Sequence, residues 1–265
     1  MQASEKGLDI GIQVEFLREI PHWIRSSKLN SINGLDRFPI RRLTSGITQA
    51  FDDFYIRYNE RVFKFLPGEY PYLRRYVRRY ELLTELTAND ALVISAPFSA
   101  TGHMHPRFYD LLRSADKLQV PVFVDCAFLG VTRNLDLDLN HRCVKSVGFS
   151  LSKAFGAGCF RAGIEFSRDE GGPSAVQNEW TYVQLLSAKI CLDITRRYSP
   201  DYVPEKYRPF QEGLCREYGL QPSDTVLFGL GGDAFRFFDI DGAVNRVCLT
   251  PSIRSAFAAA AARAG

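Results

Sequence analysis

Between Ala91 and Phe166 apolar runs recur with room for one crossing between them: Ala91–Ser95, Val120–Val124, Val144–Ser150 and Ala162–Phe166. A helical pattern around Phe108–Leu118 separates the first two. Runs this apolar have no face to offer water, so they read as strands buried on both sides. Strands alternating with helices or loops build a mainly parallel sheet between two helical layers. The spacing therefore predicts a three-layer α/β/α domain, with chemically active groups at the carboxyl ends of its strands. A chain of 265 residues holds one such domain and a smaller one. The expected division is an N-terminal segment 1–44, a large domain 45–198 and a small C-terminal α+β domain 199–265.

Around this frame the pattern predicts an amphipathic helix over Ile12–Ile24, carrying Phe16, Ile20 and Ile24 on one face and broken by Pro21. Thr44–Ala50 leads into a helix with Phe51, Phe54, Tyr55 and Tyr58, and Val62–Leu66 reads as a strand. Leu73–Leu83 places Arg74, Arg75, Arg78 and Arg79 on one helical face, and Trp180–Tyr198 reads as one long helix with Val183, Leu186, Ile190 and Ile194 as its stripe. After a linker over Pro200–Pro204 come a helix over Lys206–Tyr218, short strands over Thr225–Leu230, Ala234–Phe238 and Arg246–Leu249, and an alanine-rich helix over Ala256–Ala264.

Composition removes several classes of function. A formal net charge of +3 is too small for a nucleic-acid binder, so the arginine row reads as a solvated face. No run approaches the roughly 18 apolar residues of a membrane helix, and Met1–Lys6 lacks a signal-peptide pattern. The six cysteines are scattered, with no Cys-x-x-Cys pair and no histidine cluster; they read as reduced thiols of a cytoplasmic protein without a metal centre.

The chemistry concentrates at Ser150-Leu151-Ser152-Lys153-Ala154-Phe155-Gly156, followed by Arg161-Ala162-Gly163, with Asp125 closing an earlier strand. A primary amine among small hydroxyls suits condensation with a carbonyl; the hydroxyls and Arg161 suit an anion; the isolated acid suits a protonated ring nitrogen. These residues resemble the signature of the class I/II aminotransferases, fold-type I pyridoxal 5'-phosphate (PLP) enzymes, written Ser-x-Ser-Lys-x-x-Gly-x-x-x-x-Arg-x-Gly, and every fixed position is present.

The resemblance implies further roles. Lys153 becomes the Schiff-base lysine and proton shuttle, and Asp125 the partner of the pyridine nitrogen. Ser150, Ser152, Arg161 and the Gly46-Ile47-Thr48 turn become the phosphate cradle, and Tyr70 the ring-stacking aromatic. Ser99 stands where the family keeps an asparagine on the cofactor's phenolic oxygen, and Phe128 where it keeps a tyrosine donating to the same atom. Arg246 matches the arginine that grips the substrate α-carboxylate. The implied protein is a homodimeric aminotransferase acting on an amino or keto acid, with no nucleic-acid or membrane partner. The alternatives are a PLP-dependent lyase, decarboxylase or cyclase, which the changes at positions 99 and 128 favour, and a shortened, non-catalytic binding subunit.

Overall fold

The computed structural model describes residues 9, 11–75 and 77–264. The opening residues 1–6 and Tyr76 of the arginine-tyrosine run lie outside the described residues. In chain order the elements are α1 (Gly11–Arg25), β1 (Ser31–Asn33), β2 (Ile40–Ser45), α2 (Ile47–Arg57), β3 (Val62–Phe65), β4 (Tyr80–Leu82) and β5 (Asp90–Ser95). Then follow α3 (Phe108–Leu118), β6 (Val122–Cys126), β7 (Asp136–Asp138), β8 (Val144–Ser150), β9 (Ala162–Ser167), α4 (Pro173–Glu179) and α5 (Leu185–Arg197). The last are α6 (Tyr202–Tyr218), β10 (Gln221–Pro222), β11 (Phe228–Gly231), β12 (Asp239–Ile240), β13 (Val244–Cys248) and α7 (Thr250–Ala264).

The expected sheet is present as seven strands in the order β2-β9-β8-β6-β5-β3-β4. β9 runs antiparallel to both neighbours, and the other pairings are parallel. Alternation along the central strands divides the core into two layers. Leu92, Ile94, Val122 and Val124 pack with Phe16 and Ile20 of α1, Phe108 and Leu112 of α3 and Leu192 of α5. Ala91, Val93 and Phe123 point the other way, onto Ala50, Phe51 and Phe54 of α2. Helices thus cover both faces, and all six residues of β5 are buried. The boundary expected at residue 44 falls inside β2, which pairs with β9 over its whole length, Ile40 to Ser45.

Five local expectations are corrected. Pro21 does not break α1, which runs on to Arg25. A proline removes the N–H that would serve the carbonyl four residues back; that carbonyl, Leu17 O, accepts from Arg41 Nη1 at 3.4 Å. Leu73–Leu83 is not a helix but a 3-10 turn, Leu73–Arg75, followed by β4. Its arginines are spent singly: Arg74 Nη2 bridges to Asp241 at 2.5 Å, and Arg79 Nη1 donates to Glu60 O at 3.1 Å. Trp180–Tyr198 divides into α4 and α5. Thr181 adopts φ 59°, and Tyr182 N donates back to Gln177 O at 2.7 Å, which closes α4. The buried face of α5 is Ser187, Ala188, Cys191 and Leu192, while Leu186 is exposed, because small side chains admit α1 against it. Ala234–Phe238 is a 3-10 turn, with Phe237 in solvent, and strand pairing starts only at Asp239. The linker over Pro200–Pro204 is likewise shortened, since α6 begins at Tyr202 with Pro204 in its first turn, where proline is tolerated.

The small sheet, β10-β11-β13-β12, is antiparallel. Residues 223–225 fasten it to the large domain. Ser223 Oγ donates to Thr101 O at 2.7 Å and Thr225 Oγ1 to Gly102 O at 3.2 Å. Gly102 has φ +70°, and a Cβ there would lie 2.8 Å from Thr225, so this close approach requires glycine. His103 Nδ1 pairs with Asp224 at 2.5 Å beside it. Burial alone would raise the Asp224 carboxyl, but hydrogen bonds from His103 and Asn134 outweigh it and hold it below the usual range.

A charged cluster locks three strands and a helix. Glu165 on β9, fully buried, accepts from Arg42 Nη1 of β2 at 3.2 Å, Arg57 Nη2 of α2 at 2.5 Å and Ser146 Oγ of β8 at 2.8 Å. Removing the acid strands two buried cations, so Glu165→Ala is expected to destabilise the fold by about 3–5 kcal/mol. Urea unfolding measures this, and a change below about 1 kcal/mol would show that the cluster does not hold the strands.

Candidate active site

The carboxyl ends of the parallel strands deliver the predicted residues to one edge of the sheet. Asp125 is the fourth residue of β6, paired with Ser95 at the end of β5 and with Gly148 of β8. Ser150 ends β8, and the chain turns through Lys153 to Arg161. Because β9 is antiparallel, its first residue, Ala162, starts at that same edge. The turn after β2, at Gly46, arrives there too.

A cavity of about 290 Å³ brings together Tyr70, Ser99, Asp125, Phe128, Lys153 and Arg246. Leu227 and Phe228 of the small domain close its far wall. Lys153 Nζ lies 4.4 Å from the Phe128 ring centre and 5.8 Å from that of Tyr70. Lys153 is open to solvent as a residue, yet desolvation around its amine is the main influence pulling its pKa below the ordinary lysine value. Arg161 and Arg246 push the same way, and Asp125 opposes them. Asp125 is 6% exposed; burial raises its carboxyl, while the Lys153 charge and the Ala127 N–H, donated at 2.8 Å, favour the ionised form. The Arg246 guanidinium lies 4.4 Å over the Phe228 ring and donates through Nη1 to Ser99 O.

A second group of predicted residues gathers beside the Gly46 turn. Arg161 Nη2 donates to Thr48 Oγ1 at 3.0 Å, and a Cβ on Gly46 would collide with that guanidinium. Gly46, at φ 75°, is the N-cap of α2 and offers no side-chain cap, so the first N–H groups of the helix lack a side-chain partner. Ser150 Oγ donates to Ser152 Oγ at 2.8 Å and accepts from Ser152 N at 3.0 Å. Gly163 sits opposite both Ser150 and Thr44, and a Cβ there would meet the Gly46 carbonyl carbon at 2.7 Å. The last glycine of the lysine signature is thus the space into which the Gly46 turn fits. The Ile47 side chain is buried in the cluster with Phe51 and Phe123, which leaves its backbone as the part that can face a ligand.

Sequence reasoning missed Glu69, whose only signal was an acid in the turn that closes an apolar strand. It is 3% exposed and accepts from Ser95 N at 2.7 Å and from Ser95 Oγ. Burial pushes its carboxyl up to about 8, and Asp125 adds to the rise. Glu69 thus lies buried behind the cavity lining, close enough for the Asp125 charge to act on it. Also missed were Leu227 and Phe228, which come from an element distant in sequence. Among the described residues no cluster of His, Cys, Asp or Glu could hold a metal ion, and no helix is long and apolar enough to cross a membrane.

No protein-family model matches the chain, and no curated protein matches it in sequence. Solved structures do match in shape. N-succinyldiaminopimelate aminotransferase from Mycobacterium tuberculosis superposes with a TM-score of 0.59 at 13% identity, over 84% of this chain and 70% of that one. L-threonine-O-3-phosphate decarboxylase from Porphyromonas gingivalis gives 0.54 at 16%, over 84% and 78%. Alanine aminotransferase from Pyrococcus furiosus gives 0.56 at 15%, over 82% and 65%. The chain spans about two thirds to three quarters of these proteins' lengths. The likeness establishes the fold, which is fold type I of the PLP-dependent transferases.

Glu69 makes stability depend on pH. A carboxyl raised from 4.5 to about 8 keeps a proton that the unfolded chain has already released. Its contribution is complete below about 4.5 and is lost as pH rises through about 8. Asp125, also raised, acts in the same direction. Glu69→Gln can still accept from Ser95 N at its amide oxygen and donate its NH2 to Ser95 Oγ, and is expected to flatten this part of the stability profile. Parallel slopes for the two proteins in urea titrations across that range would show that Glu69 carries no such proton.

Proposed function

We propose that the chain is an enzyme that binds pyridoxal 5'-phosphate and acts on an amino acid or keto acid, with transamination as the reaction. One observation carries the reading: the Lys153 amine, the buried Asp125 carboxylate and the Arg246 guanidinium face a single cavity in a fold of this type.

The residues fit the group. The bare Gly46 turn, the Thr48 hydroxyl, Arg161 and the paired hydroxyls of Ser150 and Ser152 offer a dianionic phosphate fixed charge and several donors. The buried Thr44 hydroxyl next to them has no hydrogen-bond partner among the described residues. Bound PLP would supply an electrophilic aldehyde and an electron-accepting pyridinium ring. Asp125 would hold the proton on the ring nitrogen, a task that stabilises its own ionised form. Lys153, whose pKa desolvation pulls below the ordinary lysine value, would attack a carbonyl through its amine and then move a proton off and onto the substrate Cα. Arg246 would orient the substrate carboxylate. Tyr70 and Phe128 would flank the amine with their rings, Tyr70 as the stacking aromatic.

A second reading, decarboxylation or another PLP-dependent cleavage, rests on Phe128, which presents a ring without a hydroxyl to Lys153, and on Ser99. The free, unpaired cysteines support a cytoplasmic setting. The exposed Trp180, Tyr182 and Leu186 support assembly as a homodimer.

Titration with PLP is expected to produce a visible absorption band in the wild-type protein and none in Lys153→Ala. Arg161→Ala is expected to keep the band but weaken binding by about 1.5–3 kcal/mol, the scale of a charged hydrogen bond. A protein that stays colourless in excess PLP would refute the reading. Sedimentation equilibrium at micromolar concentration is expected to give twice the 30.0 kDa chain mass; a monomer that binds PLP would remove the dimer alone.

A further inference from the structure

Behind Lys153 opens a second, larger cavity of about 520 Å³. Lys153 and Leu227 line both spaces, so the two chambers adjoin at these residues. One wall is aromatic: Phe155 and Tyr202 stack at 6.1 Å and 14°, and Tyr198 backs Tyr202 at 4.6 Å. Val203 and Tyr207 of α6, Val226, and Ile253 of α7 complete an apolar enclosure. Apart from Lys153 the only charged liner is Arg254, and no acid lines the space. A cationic side chain would find no partner there, and a methyl group would leave most of the enclosure in contact with water.

We propose that this chamber is the side-chain subsite, and that the substrate is an α-amino acid or 2-oxo acid with an aromatic side chain. The inference rests on the proposed function: Arg246 takes the carboxylate in the first chamber, the reacting carbon lies beside Lys153, and the ring enters the second. Ring faces at Phe155 and Tyr202 and aliphatic groups at Val203 and Ile253 match an aromatic ring in shape and polarity. Burying such a ring is worth roughly 10- to 100-fold in affinity over a side chain that leaves the chamber empty.

Unreactive carboxylates test this apart from turnover. Calorimetry with 3-phenylpropionate, propionate and glutarate, each with and without PLP, is expected to rank 3-phenylpropionate at least 10-fold above the other two. Thr250→Trp, from α7, and Val203→Phe, from α6, narrow the chamber from opposite sides, and either one that folds is expected to abolish the preference while the PLP absorption band persists. Equal binding of the three acids, glutarate bound most tightly, or a preference retained in the narrowed variants would overturn the proposal. A missing PLP band with the ranking intact would instead sink the cofactor reading and leave the chamber's selectivity standing.

Discussion

The buried Glu165 carboxylate is the constraint on which the functional edge depends. It ties β2, β8 and α2 to β9 through Arg42, Ser146 and Arg57. β9 is the strand that runs against its neighbours, so its register cannot be inherited from the parallel frame. Once Glu165 fixes it, Gly163 falls opposite Thr44 and Ser150, and Arg161 emerges beside the Gly46 turn. A shift of one residue would turn every side chain of β9 to the other face. The corner proposed to hold an anion is thus a by-product of strand registration, set by charges buried away from it.

Next to that corner the site gains its reactivity from what burial does to charge. Desolvation works on Lys153, Asp125 and Glu69 together, moving the amine toward its free base and the two acids toward their protonated forms. Lys153 and Asp125 resist in part because each favours the other's ion. Glu69 has neutral donors, Ser95 and the Tyr70 N–H, and their pull falls short of the cost of burial, so its carboxyl stays raised. The lowered amine and the raised carboxyls follow from one low-dielectric pocket.

The sheet was legible because its strands are buried on both faces and announce themselves as continuous apolar runs; Val144–Ser150 and Phe108–Leu118 match the expected bounds. The lysine segment was legible because its spacing reflects a tight local path from β8 to β9. Legibility ended where distant residues decide. Leu17 O accepts from Arg41, so Pro21 costs α1 less than its sequence suggests. Asn178, bonded to Leu43 N and O, fixes α4 and forces the turn at Thr181 that no periodicity in Trp180–Tyr198 reveals. The second chamber lay beyond reach for the same reason: its walls come from α6, α7 and the segment after Lys153, which share no motif.

The fastening at residues 223–225 has a consequence for the cavity itself. Leu227 and Phe228 follow directly from Ser223 and Thr225, and they line a space shared with Asp125 of the large sheet and with Tyr70 and Lys153 from the segments after its strands. The cavity lies between residues that follow the strands of the large sheet and residues of the small sheet, and the Ser223–Thr101 and Thr225–Gly102 bonds tie the two sides together. A ligand would therefore feel the state of a joint it never touches, and the tolerance of that joint sets the fit as firmly as the residues in contact do.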